Sequence, residues 1–450
     1  MTLTVTRQNQ TSGLRVWIAA VALALLASSC ATSQATDTAR SEAPLQLTFA
    51  GFPGHGFDER IVEWERDHPG VEVQIIERDF EDHHVELLDA LDSQDAPDVA
   101  TVEVALGPTF AERSDDLVDL RSFGADDLED RYLDWRWSQG VVGDGKVTGI
   151  PTDLGGLAVA YRVDLFAEAG LPTDRDEVAA LWPTWQDFLA TGERFVAASE
   201  RAFMDDPANI MSAMLNQGAL QFYDHDGEFI GATNPLVQKA WTFAADAQQA
   251  SLTTGYLSFT EEWTTGMIDG EYAVLLAPAW MMSFIQGQAP GTAGLWDIAS
   301  VPGGGGNWGG SQLVIPAGSD EPELAWDLIT YLLSPQGQLQ TFTLHGNFPS
   351  IPELYDEPAI IDSRKEFFND APVGEIYVES ARALNPAILG RHQQTAIQVL
   401  GNGLEVLSEG DASRDEVWAT ILELFAILED DDADLTLEAN RAYFGLPPEE

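Results

Sequence analysis

A single cysteine, Cys30, among 450 residues leaves no pair for an intrachain disulfide, so stability must come from a buried core. Lysine is almost as scarce. Lys146, Lys239 and Lys365 are the only three, and 22 basic residues face 74 acidic ones for a net charge of −52. A surface so one-sided repels nucleic acid and anionic headgroups, which excludes both as electrostatic partners. Near the N-terminus the apolar, uncharged stretch 16–27 falls short of the ~20 residues of a spanning helix.

Catalytic patterns are equally hard to find. There is no Gly-x-Ser-x-Gly elbow, no His-Glu-x-x-His, and no Gly-Lys-Ser/Thr after the glycine run at 303–306, which therefore reads as a loop. His83 and His84 are adjacent, so a helix points them about 100° apart and denies them a shared metal. They read as a solvated pair. Asp224-His-Asp226-Gly227 opens like a calcium loop but lacks the third ligand position and the distal glutamate, and reads as a tight turn between strands. Paired carboxylates for glycoside hydrolysis carry no weight, because among 74 acids some pair always looks plausible. No catalytic residue, metal or cofactor is expected.

What is present begins with the N-terminus. Arg7 and Arg15 precede the uncharged stretch 16–27 and the small residues Ala27, Ser28 and Ser29, the layout of a secretory signal at 1–29. Cys30 follows at once and resembles the acylated cysteine of bacterial lipoproteins, although Leu26 stands one place further from it than the usual pattern has. A flexible tether at 30–43 would then link the anchor to the folded part, outside the cell membrane. About 420 residues remain after cleavage, enough for two domains. Losing Arg7 and Arg15 makes the charge −54, with acids spread along the whole chain, a surface suited to high salt.

Periodicity gives an α/β class. Leu45, Leu47 and Phe49 alternate as in a strand, Phe57, Ile61 and Trp64 recur at helical spacing until His68-Pro69-Gly70, and Val71, Val73 and Ile75 alternate again. A second helix carries Val85, Leu88 and Leu91 before a strand at 98–104. Strands alternating with helices at these lengths predict parallel pairing. Further on, Asn234-Pro235 opens a helix, 272–277 is a buried strand, 323–333 is amphipathic, and Ser413 with Glu416 forms a capping box.

Several segments in this order resemble the extracellular solute-binding proteins of ABC importers, in particular the family 1, maltose-binding-protein-like group. They are HPGVEV at 68–73, LDALDSQDAPDV at 88–99, GKVTGIPTD at 145–153, AYRVDLFAEAG at 160–170 and PTW at 183–185. GEYAVLLAPAW at 270–280, GGSQLVIPAGS at 309–319 and ELAWD at 323–327 complete the series. The resemblance implies two α/β lobes, 44–153 with 302–345 and 154–301 with 346–445, joined by a hinge crossed more than once. It implies a monomer that is not an enzyme, captures a sugar, probed first as an oligosaccharide, in the cleft, and hands it to permease subunits. The same fold could instead take a polyamine, a ferric complex or a phosphorylated polyol, and a secreted glycoside hydrolase is the reading from another class.

Sugars offer apolar ring faces and a belt of hydroxyls, so a site needs flat aromatics and planar polar groups. Trp280, after the strand at 272–277, and Trp308, in a glycine loop, are the stacking candidates. Asp153, Glu103 at the exit of its strand, His55 in the first strand-to-helix loop and Arg391 after Leu389-Gly390 are the polar ones. Trp185 and Trp326, within helical motifs, are expected in the core.

Overall fold

Leu45–Gly51 is the strand that its alternation predicts, with Leu47 and Phe49 fully buried. It pairs in parallel with Val71–Glu77 on one side and Val99–Glu103 on the other, and the connections are the helices Asp58–Asp67 and Phe80–Ala90. Two strands from later in the chain complete this sheet: Ser311–Val314 runs antiparallel to Val99–Glu103, and Gly149–Pro151 antiparallel to Ser311–Val314. The computed structural model describes residues 44–447 apart from 92, 94, 144, 411 and 431–434. The expected signal at 1–29, the tether at 30–43 and Cys30 lie outside the described residues.

A second sheet has the order Trp296–Ser300, Ala158–Arg162, Tyr272–Leu276, Ala202–Met204, with Ala158–Arg162 antiparallel to both of its neighbours. Every residue of Ala158–Arg162 and of Tyr272–Leu276 is buried, as a central strand covered on both faces requires. The chain leaves the first sheet after Pro151, returns to it at Ser311, and leaves again. On the way, Asp153–Leu154 pairs with Phe348–Pro349 in a short two-stranded ladder. No described helix is long and apolar enough to cross a membrane.

Local chemistry sets many element ends. Asn234 accepts from Leu236 N–H at 3.0 Å and Pro235 takes the first helical position, so the helix Pro235–Gln249 starts where the dipeptide predicts. Ser413 and Glu416 form the reciprocal capping box that opens Arg414–Leu428. Asp224 Oδ1 accepts from Asp226 and Glu228 N–H, closing a turn between Tyr223 and Phe229 with Gly227 at φ +82°. The expected tight turn is there.

Two expectations need correction. Trp326 is only half-buried on Pro322–Leu332, stacked on Phe123 at 6.3 Å, because it faces the rim of its cluster while Ala325, Leu328 and Ile329 point inward. Trp185 is in the core as expected.

His83 and His84 are not solvated: they are 2% and 3% exposed. Diverging by one residue's rotation, they reach different parts of one strand. His83 Nε2 donates to Thr101 O at 2.7 Å, and His84 accepts from Glu103 N–H at 3.2 Å while its Nδ1 donates to Phe80 O at 2.7 Å. Burial pushes the His84 imidazole down to about 4. The unfolded chain therefore takes up a proton first, and the stability that His84 contributes above pH ~6.5 is lost as pH falls toward 4. Urea unfolding from pH 7 to 4 should show this acid loss, and His84→Gln should make it shallower. An unchanged slope would contradict the assignment.

Candidate functional site

Loops at the ends of the first sheet carry Glu103, Asp153, His55 and Trp308, and Trp280 reaches them from the end of a strand of the second. Glu103 ends its strand and accepts from Ala105 N–H at 2.7 Å, capping the turn Val104–Leu106. Register pairs Glu103 with Ser311, and Ser311 N–H donates to Asp153 Oδ1 at 3.2 Å. Thr152 Oγ1 donates to the same oxygen at 2.6 Å. Antiparallel insertion of Ser311–Val314 therefore brings together two acids fifty residues apart in the chain.

From Asp153 the strip continues to the aromatics. Trp308 N–H donates to Gly155 O at 2.7 Å, and Gly155 N–H donates to Asn307 Oδ1 at 2.9 Å. A Cβ on Gly155 would overlap the Trp308 carbonyl, so this close approach requires glycine. The same carbonyl accepts from Trp280 Nε1 at 3.2 Å. Trp280 is the second residue of Ala279–Gln288, directly after the exit of Tyr272–Leu276. Its ring meets that of Trp308 edge to face at 5.7 Å and 74°, and both residues are half-buried.

His55 is packed rather than open. It is 7% exposed between Phe49 and Phe57, with Phe57 N–H donating to its Nδ1 at 3.1 Å, and burial lowers its pKa against the pull of Asp58. It joins the strip through a cavity of about 10 Å³ that it lines with Asp153, Thr152, Gln338 and Thr341, room for roughly one water. Arg391 stands apart from these contacts. Its Nε lies 2.7 Å from Glu112 Oε1, on the helix Gly107–Glu112 that follows the Glu103 turn.

Two residues were missed in the sequence. Arg136, 1% exposed, donates from Nε to Asp153 O at 3.2 Å, from Nη1 to Gln139 at 2.8 Å and from Nη2 to Ser311 O. It is the buried cation between the two acids. Burial pushes the Glu103 carboxyl up to about 7, with Asp153 adding to the rise and Arg136 opposing it; burial also lowers Arg136 to about 10. Nothing in the Asp134–Ser138 helix marks Arg136 as special, since the partners come from distant strands. Phe259 is the second. Half-exposed at 49%, it sits 6.2 Å from Trp280 and 6.5 Å from Trp308 and lengthens the aromatic shelf.

The result is a shelf of rings beside hydrogen-bonding carboxylates, which can stack on a flat apolar face and accept hydroxyls from its edge. Among the described residues no group of three or more His, Cys, Asp or Glu could hold a metal ion.

Comparison with known proteins gives the family and the fold. An arabinooligosaccharide-binding protein of Halalkalibacterium halodurans is 26% identical over 341 residues, 72% of this chain and 75% of its own. The crystal structure of an extracellular solute-binding protein of family 1 is 33% identical with a TM-score of 0.76, covering 86% of this chain and 100% of its own. An ABC-transporter-associated binding protein from B. animalis subsp. lactis Bl-04, in complex with beta-1,6-galactobiose, shares the fold at 20% identity and a TM-score of 0.72, covering 87% and 98%. The model for bacterial extracellular solute-binding proteins matches residues 59–369. With more than half of its length in that match, the chain belongs to the bacterial extracellular solute-binding protein family.

Proposed function

We propose that this chain is the substrate-binding component of an ABC importer and that its solute is an oligosaccharide, with arabino-oligosaccharides the first class to test. The observation that carries the reading is the Trp280–Trp308 shelf hydrogen-bonded, through Gly155, into the loop that holds Asp153. Aromatic faces stack on sugar rings, and a carboxylate takes hydroxyls in charge-assisted bonds worth about 1.5–3 kcal/mol each. The named relative binds an arabino-oligosaccharide and the structural neighbour holds a galactobiose, which favours a sugar over a polyamine or a phosphorylated polyol.

In this reading 44–153 with 302–345 and 154–301 with 346–445 are lobes that close on the sugar, and closure is driven only by contacts that both lobes make to it. Asp153, Glu103, His55 and Trp308 belong to the first lobe and Trp280 to the second. Arg391 of the second lobe pairs with Glu112 of the first. The protein acts as a monomer anchored by acylated Cys30 to the outer face of the membrane, delivers solute to permease subunits, performs no turnover, and is adapted to high salt.

Isothermal titration with arabinotriose, lactose, beta-1,6-galactobiose, spermidine and a sugar phosphate tests the reading, with product analysis of each mixture. Saturable binding of one of the sugars, returned intact, is expected. Binding confined to spermidine or the phosphate, or cleavage of a sugar, would overturn it.

A further inference from the structure

Phe259 holds an unusual backbone. Its φ is +72°, a left-handed conformation that is strained for a non-glycine residue, so something must hold it there. Its ring touches four others: Trp263 at 5.4 Å, Phe284 at 5.3 Å, Trp280 at 6.2 Å and Trp308 at 6.5 Å. Packing explains where the ring lies. It does not explain what pins the loop, because Leu257 and Phe259 are both exposed and no regular element includes either.

The pin lies beneath. Asp205 is 0% exposed, and its Oδ2 accepts from Trp263 Nε1 at 2.7 Å and from Asn209 Nδ2 at 2.9 Å. Asn209 Nδ2 also donates to Ser258 Oγ at 3.1 Å, the residue next to Phe259. The main-chain carbonyl of Asp205 accepts from Thr254 Oγ1 at 2.8 Å and from Gly255 N–H at 2.9 Å. One residue thus ties both ends of the segment that carries Phe259: 254–255 before it and Trp263 after it.

We propose that Phe259 is a further sugar-stacking residue of the site and that buried Asp205 is its positioning residue, acting through Asn209, Ser258 and Trp263. The proposal rests on the sugar-binding reading above.

The charge state of Asp205 gives the proposal a distinctive signature. Its Oδ1 has no partner, and an unpaired buried carboxylate is far costlier than the neutral acid. Burial pushes the group up to about 7, Asp206 beside it adds to the rise, and the hydrogen bonds from Trp263 and Asn209 oppose it. The other titratable groups facing this cluster are Asp206, itself pushed by burial up to about 6, and the Tyr272 phenol, raised by burial and bonded to Trp263 O at 2.8 Å. An acid raised in the pinned loop and ordinary in an opened one favours the pinned form at low pH. That preference is lost as pH rises through about 7.

Two readouts separate this proposal from the function on which it rests. In ligand-free protein, the near-ultraviolet circular dichroism of the aromatic shelf should weaken between pH 6 and 8 in the parent and stay flat in Asp205→Asn, which keeps the acceptor but cannot ionise. With arabinotriose, parent affinity should fall at least threefold over the same range, Asp205→Asn should lose that dependence, and Phe259→Ala should bind roughly tenfold more weakly throughout. Should Asp205→Asn fail to fold, Ser258→Ala cuts the same tie at a part-buried hydroxyl and should weaken binding severalfold with little change in melting temperature. A flat parent dichroism, an identical slope in Asp205→Asn, or full affinity in Phe259→Ala would overturn the proposal. Failure of every sugar to bind, with the dichroism slope present, would instead count against the function and leave the pin standing.

Discussion

Trp280→Ala should weaken the best sugar ligand by about thirtyfold or more, or ~2 kcal/mol, while the protein stays folded. The magnitude follows from a large ring that is half-buried, held by one hydrogen bond to the Trp308 carbonyl and packed edge to face against the Trp308 ring. Removing it deletes a stacking surface and also releases one restraint on the neighbouring loop. Trp308→Ala should therefore cost a similar amount, and the double variant less than the sum, because residues in contact share their interaction energy. Isothermal titration decides the matter. Unchanged affinity in both single variants would place the sugar elsewhere even though the family stands.

Trp241→Ala should have the opposite profile: stability falls by about 3–5 kcal/mol and the affinity of the folded protein is untouched. Trp241 is 1% exposed on Pro235–Gln249, donates to Leu400 O at 3.2 Å and packs on Trp418 at 5.2 Å. Alanine leaves a cavity, and the Leu400 carbonyl, inside the helix Gln393–Glu409, loses its second donor. Half-buried Trp326, by contrast, should cost much less on truncation, since its outer face is already wet. Urea unfolding of the two variants tests this. A loss below about 1 kcal/mol for Trp241→Ala would contradict the packing described.

The parts of the fold legible in the sequence are those decided within a few residues. Caps at Asn234 and Ser413, the Asp224 turn and the first parallel strands obey local rules, so they were readable. The antiparallel insertion of Ser311–Val314 beside Val99–Glu103 was not legible. Pairing over two hundred residues leaves no local mark, yet it is what joins Glu103 to Asp153. Arg136 was invisible for the same reason. Phe259 was missed because an aromatic between Ser258 and Thr260 looks like any loop residue until its positive φ is seen. The histidine pair misled because divergence on a helix argues against a shared ligand and says nothing about burial; each ring found its own backbone partner on the adjacent strand.

A crystal structure of the protein soaked or grown with arabinotriose tests the central claim most directly, since it shows ring faces and hydroxyls together. The account predicts a sugar ring against the face of Trp280 or Trp308, a neighbouring ring near Phe259, and hydroxyls within hydrogen-bond distance of the Asp153 or Glu103 carboxylate. Sugar bound with these tryptophans bare, or with no hydroxyl near either acid, would contradict it.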